Sequence, residues 1–174
     1  SSFWPSPQSD WKWPPPAELD ALPWQVTVEG RVLKATTAQN AALALSAEQR
    51  IELLPEVRAA RIEYRLVNHG SAPRKVAAWQ NSRVRPSGLT FFPSAAPSLA
   101  QSKFALAPSS GVIWFAHGGK ADTRTGKLFA DGEEGWLAHV ADGLLFVKVF
   151  PPVSAEQQAP GEGEHAVADV DPAD

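Results

Sequence analysis

The chain contains no cysteine and no methionine. The first absence excludes disulfides, thiolate zinc sites and cysteine nucleophiles together; it leaves compartment open, with the periplasm or extracellular space favoured over the cytoplasm. The second extends to the initiator, so upstream residues are expected to have been removed before Ser1, whether a signal peptide, an upstream part of the expressed polypeptide or a larger N-terminal region. No apolar run approaches the length needed to span a bilayer, so no membrane partner is expected. A net charge of −3 gives no overall basic field, which argues against a nucleic-acid partner. Catalytic signatures are missing as well: there is no Gly-x-Ser-x-Gly elbow, no dinucleotide fingerprint and no His-Glu-x-x-His helix. Gly118-Gly119-Lys120 resembles only the tail of a phosphate loop, and the earlier glycine that such a loop needs is absent. No cofactor is expected.

What the chain does have is tryptophan and proline, seven and sixteen residues among 174. Between Phe3 and Pro16, Trp4, Trp11 and Trp13 alternate with Pro5, Pro7, Pro14, Pro15 and Pro16. Proline lacks the amide hydrogen and fixes φ, so this stretch is expected to run extended, without a helix or a central strand. Indoles on such an arm either clamp it onto a sheet or offer flat faces to a ligand.

Beyond the arm the signals are those of strands. Trp24 to Val28 alternates apolar and polar residues and ends at Glu29-Gly30, with Arg31 to Thr36 as its hairpin partner. Asn40 to Arg50 is rich in alanine and leucine but alternates over Ala42 to Ser46, and is read as strand. Val57 to Asn68 predicts a long half-buried strand, with Ile62, Tyr64 and Leu66 on one face and Arg61, Glu63 and Arg65 on the other. After the turn Asn68 to Pro73, Lys75 to Ser82 is expected to return as its antiparallel partner. Further strands are expected at 89–92, 112–115, 127–129, 136–140 and 144–150. Leu144 to Phe150 is apolar apart from Lys148, which predicts a central strand covered on both faces; Asp142-Gly143 before it is a strong hairpin signal. The fold class is therefore all-β, an antiparallel β-sandwich, rather than alternating βα units. One sandwich domain with its N-terminal arm is expected over 1–153. An acidic, flexible tail with at most one short strand follows over 154–174.

Candidate site residues come from two inventories. His117 ends one strand and His139 lies in another, and either could serve as a catalytic acid because an imidazole titrates near neutrality. His69 and His165 lie in a turn and in the acidic tail, where solvent exposure explains them. No short-range pair of histidines occurs, and the acidic turn Asp131 to Gly135 is too small for a calcium loop, so no metal site is expected. The second inventory is aromatic. Trp11, Trp13, Trp79, Trp114 and Trp136 with Gln80, Asn81, Arg83 and Lys148 are the residue types of sugar sites, in which rings stack on pyranose C–H faces while amides and cations take the hydroxyls; Trp11, Trp13, Trp79, Gln80, Arg83 and Lys148 are the ligand-binding candidates. Core packing is the competing explanation for many of the indoles.

Three pieces of the chain carry a family resemblance: Phe3 to Gln8 running into Trp11 to Asp20; Ile62 to Asn68 with Ala77 to Gln80; and Gly135 to Ala138 with Leu144 to Lys148. Together they resemble an uncharacterised bacterial domain family similar to the galactose-mutarotase-like group. The resemblance implies a partial supersandwich that binds carbohydrate on a concave sheet. It also implies a histidine acid, at His117 or His139, and a carboxylate base expected in C-terminal strands that this chain lacks. Three functions remain open at this point: a carbohydrate-binding protein, an enzyme acting on a sugar or other small molecule through a cleft histidine, and an assembly protein. The last would form homo-oligomers through open sheet edges.

Overall fold

The computed structural model describes residues 2–94, 106, 108–118, 126–130, 134–152 and 165–170, with the backbone alone described for Ser2, 126–129 and 165–170. Every sheet in it is antiparallel, and helix is confined to isolated turns. The all-β class expected from the alternation is the class observed. The chain divides into two compact units, the first ending at Ser82 and the second starting at Arg83.

In the first unit, β1 (Ser2–Ser6) leads through a 3₁₀ turn at Gln8–Asp10 to the single helical turn α1 (Ala17–Asp20). A meander follows, of β2 (Gln25–Glu29), β3 (Val32–Thr36), β4 (Leu45–Leu54) and β5 (Ala59–Asn68), paired in sequence order. β6 (Ala77–Asn81) closes the unit. The β2–β3 hairpin is the one the alternation predicts. The strand expected from Asn40 starts only at Leu45, because residues 41–44 form a turn in which Ala44 takes a positive φ of 49°.

Two expectations for this unit need correction. β6 does not return against β5; it pairs with β1, placing Trp4 opposite Trp79, while the partner of β5 is β4 over its full length. The proline-rich arm is thus a strand of its own at the start. Pro5 is tolerated because β1 belongs to a two-stranded sheet and has a free side for the residue without an N–H. Phe3 anchors the arm by stacking on Tyr64 of β5, centroids 4.6 Å apart and planes 7° from parallel. Around it, Trp11, Leu19, Leu43, Leu45 and Ala47 complete a buried cluster. On β5 the long alternation is visible, but only Tyr64, Leu66 and Val67 are even partly covered; Ile62 is 45% exposed. Its charged face is tied to β4 by Arg65–Glu48, Arg61–Glu52 and Arg50–Glu63 ion pairs at 3.4–3.8 Å, solvated contacts worth little each.

The second unit contains β7 (Ser87–Pro93), β8 (Val112–Gly118), β9 (Gly126–Ala130), β10 (Trp136–Ala141), β11 (Leu144–Val149) and β12 (His165–Val170). Four of these form one sheet in the order β11-β10-β7-β8, and β12 pairs with β9. The inner face of the four-stranded sheet carries Phe92, Ile113 and Phe115, packed with Ala130 of β9 and partly covered by Leu106 and Leu137. Gly88 lets β7 pass close to β10. At φ +97° it has no room for a side chain, since a Cβ there would lie 2.1 Å from the Val140 carbonyl oxygen. Asp142 and Gly143, with φ of 51° and 75°, form the two-residue turn of the β10–β11 hairpin, as the sequence predicts.

The last correction concerns β11. It is an edge strand and not a central one, and Leu144, Leu145, Phe146, Val147 and Val149 are 42–79% exposed. Its doubly apolar pattern reports faces able to be covered, and among the described residues little covers them.

Candidate functional site

In the first unit the proline-bearing backbone of β1 and the segment after it bring four indoles together. Trp4 is the hub. Trp79 lies directly across the β1–β6 ladder at 5.4 Å between ring centroids, Trp13 at 5.8 Å and Trp11 at 6.2 Å, all in edge-on arrangements that match ring edge to ring face. Their environments differ. Trp11 is buried, and its Nε1–H donates to the Pro5 carbonyl at 2.7 Å, so it pins the arm to itself. Trp4 donates its Nε1–H to Asp20 at 2.7 Å, tying β1 to α1. Trp13 is 69% exposed, which leaves one indole face toward water on a well-supported base.

Polar groups surround this cluster. Asn81 shares the Trp79 face of β6, and its Nδ2 is buried without a hydrogen-bonding partner. Gln80 turns its amide to the Asn81 carbonyl at 2.7 Å and to Ser82 Oγ at 3.0 Å. Arg74 bridges Asp10 and donates to the Leu43 carbonyl at 2.6 Å, which fixes the turn that follows the arm. Trp11, Trp13, Trp79 and Gln80, all nominated from sequence, therefore lie in one unit, and the three indoles share one neighbour. That neighbour, Trp4, was not singled out as a site residue. Its place opposite Trp79 is set by a pairing between residues some 75 positions apart, for which the local pattern holds no signal.

The second unit joins the two nominated histidines. His117 Nε2 and His139 Nδ1 lie 2.8 and 2.9 Å from the Thr90 hydroxyl, with the rings 5.3 Å apart and nearly perpendicular. A hydroxyl donates one proton and accepts at its lone pairs, so Thr90 can donate to one imidazole while accepting an N–H from the other. His139 is 4% exposed and its Nε2 has no hydrogen-bonding partner. Burial pushes its pKa below the ordinary histidine value, and the Ser87 backbone acts in the opposite, smaller sense. A neutral imidazole locked between strands is suited to bracing the sheet.

Lys148 lies on the inner face of the four-stranded sheet, opposite Leu137, where burial lowers its pKa. Arg83 is exposed in the segment before β7. Among the described residues no cluster of histidine and carboxylate side chains suited to a metal ion is found.

The other face of the four-stranded sheet has a different character. Directly opposed residues share a face, so Trp114, Phe91, Ala138 and Val147 form one row across β8, β7, β10 and β11, and Ala116, Leu89, Val140 and Leu145 form the next. Phe91 stacks on Trp114 at 4.9 Å and meets Trp136 edge-on at 6.2 Å. Neither row contains a charged side chain, and the Trp114 indole N–H is the one side-chain hydrogen-bonding group in them. Such a surface is suited chiefly to apolar groups, with no carboxylate or amide for sugar hydroxyls.

Comparison with known proteins adds no relative: no family model, no curated protein and no solved structure matches the chain.

Proposed function

We propose that the first unit is a carbohydrate-binding module of mutarotase-like character, with the Trp13 indole as its stacking platform. The observation that carries this is the contrast between two neighbours: Trp11 is 8% exposed and hydrogen-bonded into the arm, whereas Trp13 is 69% exposed on an aromatic base of Trp4 and Trp79. An indole recruited only for packing is expected to be covered like Trp11. Pyranose rings present C–H faces that stack on indole, and the Asp20 carboxylate, hydrogen-bonded to Trp4 beside that platform, supplies an acceptor that hydroxyls require. The two rows of the second unit carry no carboxylate or amide side chain, which favours the first unit as the sugar site.

Titration with a panel of mono- and oligosaccharides, followed by calorimetry and tryptophan fluorescence, tests the reading. Binding in the millimolar range or tighter is expected, with Trp13→Ala weakening it about tenfold, the order of ~1.5 kcal/mol that a stacked aromatic contributes. Silence across the panel, or an unaltered affinity in Trp13→Ala, would remove the proposal.

A further inference from the structure

β11 ends the order of its sheet and has no strand on its outer side among the described residues. Which of its backbone groups point that way follows from the ladder. Leu144 closes the two-residue hairpin opposite Ala141, and at the far end Phe150 donates its N–H to the Gly135 carbonyl at 2.8 Å. Hydrogen-bonding direction alternates along an antiparallel strand, so the even-numbered residues bond to β10 while Leu145, Val147 and Val149 aim their N–H and C=O groups outward. These same residues are 61%, 49% and 79% exposed.

Natural edges are blunted by prolines, bulges or rows of charge. The edge strand β5 of the first unit carries Arg61, Glu63 and Arg65, and β2 ends on Glu29. β11 has no proline, an unbroken register with β10 and one charged side chain, Lys148.

We propose that this edge is the seam of a homodimer, in which β11 of a second copy pairs antiparallel with it about a two-fold axis at Val147. The sequence of β11 is complementary to itself in that register. A two-fold axis normal to the sheet keeps like faces together, so Val147 opposes Val147, Leu145 opposes Val149 and Phe146 opposes Lys148. Every outward N–H and C=O of Leu145, Val147 and Val149 then finds a partner. Lys148 meets an aromatic ring of the other copy rather than its own counterpart, so no like charges are opposed. Shifting the centre to Phe146 would oppose Val149 with the turn residue Gly143 and forfeit bonds at both ends. The apolar rows would continue across the seam into the second copy.

Because the chain has no cysteine, a single introduced thiol reports the seam cleanly. Val147→Cys places two sulfurs on a directly opposed pair, whose Cα separation of about 5.5 Å lies within disulfide reach. Mild oxidation should convert most of this variant to a linked dimer. Leu145→Cys, which faces Val149, should link at least tenfold more slowly. In sedimentation equilibrium the unmodified protein should show the mass of two chains. Val147→Pro, which removes an outward N–H and leaves the bonds to β10 intact, should give the mass of one, with an unchanged circular dichroism spectrum. Val147→Lys, which opposes like charges at the axis, should do the same and serves if the proline variant does not fold. A one-chain mass for the unmodified protein up to millimolar concentration would overturn the proposal. So would a two-chain mass in folded Val147→Pro and Val147→Lys, or equal linking rates for the two thiols.

Discussion

His139 is the residue whose chemistry most clearly follows from its place. Its ring is buried beside the Thr90 hydroxyl and the His117 ring, and burial disfavours the imidazolium, so its folded pKa lies below the ordinary 6.5. The sign of the consequence is fixed: just below pH 6.5 the unfolded chain binds more protons than the folded one, so stability falls as pH drops through that value. The loss is complete once pH passes beneath the depressed folded pKa. Urea unfolding at pH 7.5 and at pH 5 should show the decline, and His139→Gln, which keeps a hydrogen bond to Thr90 without titrating, should flatten it. An equally steep decline in that variant would assign the effect to other groups. Thr90 itself is invisible to sequence reasoning: a threonine between Leu89 and Phe91 reads as any strand residue, and its role depends on strands 27 and 49 positions away.

Among the elements, β1 shows how an arm that looks unfit for structure becomes part of it. Proline forbids a central position but not a two-stranded ribbon, and Phe3 stacked on Tyr64 supplies the burial that holds the ribbon down. Phe3→Ala should cost about 3 kcal/mol, within the range for deleting a buried aromatic. It should also strip hydrogen-exchange protection from Ala77–Asn81 while leaving β4 and β5 protected. Uniform loss of protection would show that β1 is not a separable element. Hairpins with local turn chemistry were legible in the sequence: Glu29-Gly30 and Asp142-Gly143 each dictate a turn from adjacent residues, and the strands either side follow. The pairing of β6 was not legible, because the expectation that neighbours in sequence pair with each other favours β5, and only the fold of the arm overturns it. The same limit applies to the site. Clustered Trp11 and Trp13 could be singled out, whereas the hub Trp4 and the burial difference between its neighbours needed tertiary structure. For β11 the periodicity correctly marked two apolar faces, but no pattern within a strand encodes what lies against it.

At the scale of the whole molecule, many large apolar side chains among the described residues are left in water. The buried clusters are small, built on Phe3, Trp11, Leu19, Leu43, Leu45 and Ala47 in one unit and on Phe92, Ile113, Phe115 and Ala130 in the other. Large hydrophobic residues from Val26 to Val149 remain more than 40% exposed. Burial contributes roughly 25 cal/mol per Å² of apolar surface, and ordering each residue costs about 1–2 kcal/mol of backbone entropy, so covering exposed apolar surface bears directly on the margin. Association that covers further apolar surface and satisfies an open ladder adds to that margin by mass action. If β11 is a seam, stability must therefore depend on protein concentration. The midpoint of thermal unfolding should rise by several degrees over a hundredfold increase in concentration, since ~1 kcal/mol shifts it by about 2–4 °C in a chain of this length. The folded Val147→Pro variant should show a lower midpoint with no such dependence. A concentration-independent midpoint in the unmodified protein would mean that these cores alone stabilise the chain.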